Sequence, residues 1–269
     1  MTIDVWAQHP TNRFVNHPCF DSLKRWTNQN TEQLEVPIEL TVGAMKQAKV
    51  DKALIAAWSS PNGFLISNEE VKDCIEQYPD LFLGLAATDL TKPMEGVREL
   101  RKYVTKHDFK GLRIVQWLWN KPCSDALYYP LLAACVELDV PVCLQVGITG
   151  PLCPSGTGLP IHIERIALDF PELKIVCGHI GAPWHEEMIV YARKFPNVYI
   201  DTSAYVPKRY PKALIEFMKG SGKHKVMFGT NFPMLTPEAC LKQIDMLELD
   251  DETKELFLHG NAKKVFKLE

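Results

Sequence analysis

The chain has 269 residues, 46% of them apolar, with 30 basic and 33 acidic side chains and a net charge of −3. The length is near the ~250 residues of a (β/α)8 barrel, and there is apolar material for a large core. The charge balance gives no footprint for nucleic acid or a membrane surface, and neither is expected as a partner. No segment approaches a membrane span, and the N-terminus lacks the basic and apolar regions of a secretory leader. The eight cysteines include no Cys-x-x-Cys pair, and Cys135, Cys143 and Cys177 fall inside apolar runs. They read as small buried hydrophobes in a reducing compartment, which points to the cytoplasm.

In chain order, apolar runs predict buried parallel strands at Ile3–Val5, Lys52–Ala57, Leu81–Ala86, Gly111–Val115, Val140–Leu144, Lys174–Cys177, Val198–Ile200 and Lys225–Phe228. Amphipathic stretches between them predict helices at Ile38–Ala48, Asn68–Gln77, Met94–Thr105, Ala126–Glu137, Ile161–Phe170, Trp184–Phe195, Pro211–Lys219 and Pro237–Leu247. Such alternation implies a parallel sheet with crossover helices, without separating a closed barrel from an open sheet. No glycine-rich phosphate loop follows any strand, which argues against a nucleotide-binding sheet.

The stretch from Pro10 to Pro37 is too long for a short βα loop, and its Phe14, Phe20, Leu23 and Trp26 argue against disorder. It is read as an insertion at about 10–37 over the mouth of a single domain spanning 1–269, with a purely peripheral excursion as the alternative. A second rim element is the Pro- and Gly-rich run Thr149–Gly158.

Four segments carry the functional reading. They are Met1–Pro10, ending Trp6-Ala7-Gln8-His9-Pro10; Val142–Gly147, containing Gln145; Ile175–Gly181, containing His179; and Val226–Pro233, containing Gly229-Thr230-Asn231. In this order they resemble the amidohydrolase-related family of (β/α)8 barrels, over nearly the whole chain. The resemblance implies a TIM-type barrel with its active site at the C-terminal ends of the strands. Members carry a His-x-His pair on the first strand, a His on each of the fifth and sixth, and an Asp on the last. The matching positions here read Trp6, Gln8, Gln145, His179 and Asn231, so only one keeps its ligand type. An indole offers no lone pair to a metal and amides are weak donors, so neither a metal nor any other cofactor is expected.

Without a metal, Gln8, Gln145 and Asn231 supply amide donors for a carbonyl oxygen, and His179 supplies an acid or base. Arg113 is a candidate for a carboxylate or enolate, although strand alternation leaves open whether it points inward. His9 is a second possible base. Asp201 ends a strand and either joins the chemistry or caps the next loop. Trp6, Trp58, Trp117, Trp119, Trp184, Tyr205 and Phe232 fall at or after predicted strand ends and suggest a pocket for a small aromatic substrate, although each taken singly reads as core. Lys208 and Arg209, with Lys212, follow the seventh strand, where barrels often hold phosphate; a solvated helix start is the simpler reading.

The Trp-x-Gln-His and Gly-Thr-Asn variants look similar to metal-independent C–C hydrolases of aromatic β-ketoacyl-CoA thioesters. The expected activity is therefore metal-independent hydrolysis of an activated carbonyl compound with an aromatic portion, a CoA thioester being the candidate partner. A metal-free lactonase or decarboxylase is the alternative, and a catalytically silent partner subunit of an active homologue is the non-enzymatic one. A homo-oligomer, by default a homodimer, is expected.

Overall fold

The computed structural model describes residues 1–27 and 36–269. The strands are β1 (Ile3–Ala7), β2 (Lys52–Ala56), β3 (Trp58–Ser60), β4 (Gly63–Ile66), β5 (Phe82–Ala86), β6 (Phe109–Ile114), β7 (Val142–Gln145), β8 (Ile175–Gly178), β9 (Val198–Asp201) and β10 (Val226–Met227). Eight of them form one parallel sheet in the order β1-β2-β5-β6-β7-β8-β9-β10. Its two edges meet. Val5 N–H donates to Phe228 O at 3.0 Å, Asn231 N–H to Trp6 O at 2.7 Å and Gln8 N–H to Phe232 O at 3.1 Å. A parallel bridge joins Ala7 to Phe232. The fold is a (β/α)8 barrel, as the sequence implies.

The strands read as apolar runs because each is covered on both faces, by the barrel interior and by the ring of helices. Every residue of β1, β5, β7 and β8 is buried. Helix starts are set locally. Ser67 and Glu70 form a reciprocal capping box on Asn68–Gln77, and Thr236 accepts from Ala239 N–H at the start of Pro237–Leu241. The expected helix over Pro237–Leu247 is broken: Pro237–Leu241 is followed by a separate turn of 3₁₀ helix at Ile244–Leu247.

Two elements have no counterpart in the sequence reading. β3 and β4 form an antiparallel hairpin at the mouth, turning at Pro61-Asn62 into Gly63. After Leu247 the chain adds helix Asp251–Glu255, a π turn over Leu256–Gly260 and helix Asn261–Phe266. Asn261 there donates to Lys223 O and Val226 O, each at 2.8 Å, and so ties the C-terminus to β10.

The insertion is ordered where it is described. It contains helix Asn12–Val15, a 3₁₀ turn at Pro18–Phe20 and helix Asp21–Thr27; residues 28–35, also part of it, lie outside the described residues. Ser22 Oγ donates to Gly150 O at 2.7 Å, which joins it to the run after β7. Phe14 and Phe20 pack on Trp58, at 5.1 and 6.1 Å between ring centroids. The described part of the insertion therefore packs against β3 and the run after β7. Trp26 is 62% exposed.

Candidate active site

The C-terminal ends of β1, β8 and β9 and the chain after β10 bring Trp6, Gln8, His179, Ser203 and Asn231 together. The Trp6 indole lies edge-on to the His179 ring, with centroids 5.0 Å apart. A Cβ on Gly178 would stand 2.6 Å from that indole, so a glycine must precede His179 for the ring to lie there. His179 and Ile180 adopt left-handed backbone, with φ of 66° and 63°. That region is sterically costly, above all for a β-branched residue, and such strain persists where surrounding structure enforces it.

Arg113 projects from β6 into the barrel interior and is sealed there. Its guanidinium lies 3.3 Å from the centre of the Trp6 ring, and Nε, Nη1 and Nη2 have no hydrogen-bond partner among the described residues. Burial lowers its pKa to about 10, against the opposing pull of Cys143, Asp201 and Asp4. The same burial, joined by the Arg113 charge, pushes His179 down to about 3. His179 is thus a neutral imidazole at neutral pH. Its Nδ1 is 2.7 Å from Ser203 Oγ, which leaves Nε2 as its working nitrogen.

Two carboxyls share this interior. Asp4 accepts from Trp6 N–H and from Thr230 N–H and O–H, while burial raises it to about 6. Asp201 accepts from Ser203 N–H through Oδ1 at 2.7 Å, and burial lifts it to about 7. Its Oδ2 has no partner among the described residues.

A cavity of about 280 Å3 opens beside this cluster, walled by Phe14, Phe20, Trp58, Phe232 and other apolar residues, with Gln8, Asn231 and Lys24 as its main polar members. Lys24 lies 3.8 Å from Asp21. Gln8 Nε2 is held by three acceptors, Phe232 O, Asn231 O and Asn231 Oδ1. This fixes the amide's orientation and leaves Oε1 buried with no partner among the described residues.

Of the expected site residues, Gln8, Asn231, Trp58 and Phe232 line this cavity; Trp6 and His179 are not among its walls, although Trp6 O accepts from the Asn231 N–H at 2.7 Å. Arg113 is buried against the Trp6 ring and does not line this cavity. Gln145 is partly committed: its Oε1 accepts from Trp117 Nε1 at 2.7 Å, and its backbone pairs with the Gln116 side chain. Trp117 and Trp119 stand outside the cavity wall; Trp117 is fixed by Gln145 and Trp119 donates to Ser59 O at 3.2 Å. Trp184 precedes helix His185–Lys194 at its N-cap. Tyr205, half-buried, also lies outside the wall. Lys208 and Arg209 are exposed on the 3₁₀ turn Pro207–Arg209, where solvation satisfies them. His9 is tied to Thr41 Oγ1 at 2.8 Å, and burial lowers its pKa. The sequence reading singled out neither the Ser203 contact to His179 nor the burial of Asp4; the Asp-x-Ser spacing was the available signal for the first.

The model of the family described as amidohydrolase matches residues 48–268. This chain belongs to the amidohydrolase family. Among curated relatives, the γ-resorcylate decarboxylase of Polaromonas sp. is 22% identical over 248 residues, covering 75% of each chain. An uncharacterized TIM-barrel protein from Bordetella bronchiseptica superposes with a TM-score of 0.85 at 23% identity, over 99% of this chain and 98% of its own. A dihydroxybenzoic acid decarboxylase from Polaromonas sp., solved with manganese and 2-nitroresorcinol, superposes with a TM-score of 0.75 at 18% identity, over 99% and 97%.

These relatives overturn the expected activity. Those with a named activity are decarboxylases, not hydrolases, and their substrates are small aromatic acids rather than CoA thioesters. This chain is an enzyme of the amidohydrolase family, and no described helix is long and apolar enough to cross a membrane.

The manganese of the solved decarboxylase calls for a test of the donors here. Among the described residues no group of three His, Cys, Asp or Glu is placed to hold a metal ion. The family's ligand positions offer one imidazole, two amides tied to other partners, a third amide beside a thioether, and an indole stacked on a guanidinium. A dication would meet the buried Arg113 charge with no ionised ligand in those positions. The donor set does not fit a divalent ion.

Proposed function

We propose that this protein is a decarboxylase of a small aromatic hydroxy acid, releasing CO2 and placing a proton on the ring carbon that held the carboxylate. The observation that carries this reading is the cavity. It is large enough for one substituted ring, its walls are mostly aromatic and aliphatic, and its few polar members suit such an acid. The curated decarboxylase relatives support the reaction class.

The chain's own residues divide the work. Phe14, Phe20, Trp58 and Phe232 hold the ring and keep water from the carboxylate, whose charge disappears as CO2 leaves. Lys24 puts a positive charge at the wall for the incoming anion. Gln8 Oε1, the unsatisfied acceptor, takes a hydrogen bond from a ring hydroxyl; leaving it unmet costs about 1–3 kcal/mol. His179 Nε2 delivers the proton to carbon.

The test is turnover of a panel of mono- and dihydroxybenzoates, followed by chromatography of the phenolic product. The wild-type chain is expected to convert at least one member. His179→Gln is expected to lose activity by roughly 100-fold or more, as for removal of a general acid, and Gln8→Leu to raise KM. No conversion of any aromatic acid, or full activity in His179→Gln, refutes the proposal.

A further inference from the structure

The cavity wall holds a hydrogen-bond donor that the described residues leave unused. Trp58 lies on β3 and lines the cavity, and its indole Nε1 is buried with no partner among the described residues. The nearby tryptophans differ. Trp117 Nε1 donates to Gln145 Oε1 at 2.7 Å and Trp119 Nε1 to Ser59 O at 3.2 Å, so the scaffold satisfies both. A buried indole N–H normally finds an acceptor, and one left unmet costs free energy.

Local structure holds this indole in place. The pairing of β3 with β4 shifts register between Trp58 and Ser59, an irregularity of the kind that re-aims a side chain beside a site. Ser59 Oγ donates to Thr88 O at 2.7 Å and anchors the strand at that point. The rings of Phe14, Phe20 and Trp117 stand edge-on to Trp58, with centroids 5.1, 6.1 and 6.2 Å away, and together fix its plane. None of these three rings carries a lone-pair acceptor for the N–H.

We propose that Trp58 is a specificity-determining residue whose indole N–H donates to a neutral oxygen, alkoxy or carbonyl, on the ring of the bound substrate. That the substrate is an aromatic hydroxy acid rests on the decarboxylase reading; the recognition rests on the cavity. Gln8 Oε1 is the other buried polar atom of this wall without a partner among the described residues, and it is an acceptor. The wall thus presents one acceptor and one donor, which match a hydroxyl and a second oxygen on one ring. The departing carboxylate suits the donor less well. A hydrogen bond to it would stabilise the ground state and weaken as the charge is lost with CO2, which raises the barrier. The N–H is covered in the ligand-free chain, so seating a ligand beside it shifts neighbouring wall side chains.

The test measures binding of phenols that have no carboxylate to lose. The probes are 3- and 4-hydroxyacetophenone and the matching 3- and 4-isopropylphenol, in which a methyl group replaces the carbonyl oxygen. The full chain and its Trp58→Phe variant are titrated with each probe by calorimetry. The ratio of Kd values, isopropyl over acetyl, should fall by about 10-fold in Trp58→Phe for at least one isomer, as for loss of one hydrogen bond inside an apolar wall. Comparing ratios cancels the probes' different hydration and the space that Phe leaves. In 1H–15N spectra of the wild-type chain, the Trp58 indole resonance should move downfield with the acetyl probe and not with the isopropyl one. An unchanged ratio for both isomers, a Trp58 resonance unmoved by the acetyl probe, or failure of every probe to bind overturns the proposal. Recognition by Trp58 with no aromatic acid converted would sink the decarboxylase reading and leave this assignment standing; turnover with an unchanged ratio would do the reverse.

Discussion

Replacing Asp201 by Asn isolates the largest buried carboxyl effect in this barrel. The Asp201 carboxyl is sealed from solvent, with one oxygen on Ser203 N–H and the other unpartnered. Burial lifts its pKa from the ordinary 3.8 to about 7, and Ser203 and Arg113 pull it back only in part. A carboxyl that titrates higher in the folded than in the unfolded chain stabilises the native state fully below its unfolded value. That contribution is lost as pH rises through the folded value. A rise of about three pH units, at ~1.36 kcal/mol each, is on the order of 4 kcal/mol. Asn has the same shape and does not titrate. The Asn variant should therefore gain on wild type by on the order of 4 kcal/mol between pH 4 and pH 8, mostly between about 5 and 7. Urea unfolding read by tryptophan fluorescence at half-unit pH steps gives both curves. Asp4, raised by burial, and His179, lowered by it, titrate in both proteins and cancel to first order in the difference. Parallel curves would mean that Asp201 is ionised throughout and would refute the effect assigned to its burial.

Three further outcomes follow from the packing. Phe14→Ala removes a buried ring lying 4.6 Å from Phe20 and 5.1 Å from Trp58; it should cost about 3 kcal/mol in urea unfolding and raise KM through the opened cavity wall. Gly147→Ala forces a Cβ to 2.4 Å from Ala182 O at a φ of 107°, so about 2 kcal/mol or more should be lost, seen as a lower Tm without a change in substrate range. Of the eight free thiols only Cys19 and Cys153 are partly exposed. A chromogenic disulfide should titrate no more than these two in the native protein, slowly because burial raises both thiols, and all eight after unfolding.

The scaffold was legible because strands covered on both faces must be apolar, and all eight runs, from Ile3 to Phe228, fall in the barrel. The Trp58–Ile66 hairpin was not, since strands of three and four residues give too short a pattern, although Pro61-Asn62-Gly63 marks its turn. His179 stood out because it directly follows an apolar strand and opens a loop. Arg113 is a different case. Its position on a strand left its direction open, and only the three-dimensional structure shows it buried inside the barrel with its guanidinium over the Trp6 ring. The pocket aromatics were over-counted for a related reason: Trp117 and Trp119 follow a strand end, yet their indole nitrogens are spent on Gln145 and Ser59. The hydrolase expectation came from replaced ligand positions, and replacement indicates which donors are gone without saying which bond is broken.

The most direct measurement is incubation of the protein in D2O with carboxyl-13C-labelled hydroxybenzoates, followed by NMR. The account predicts 13CO2 and bicarbonate together with one deuterium at the vacated ring position, both abolished in His179→Gln. Label retained in an aromatic acid across the panel, or released equally by His179→Gln, would contradict it.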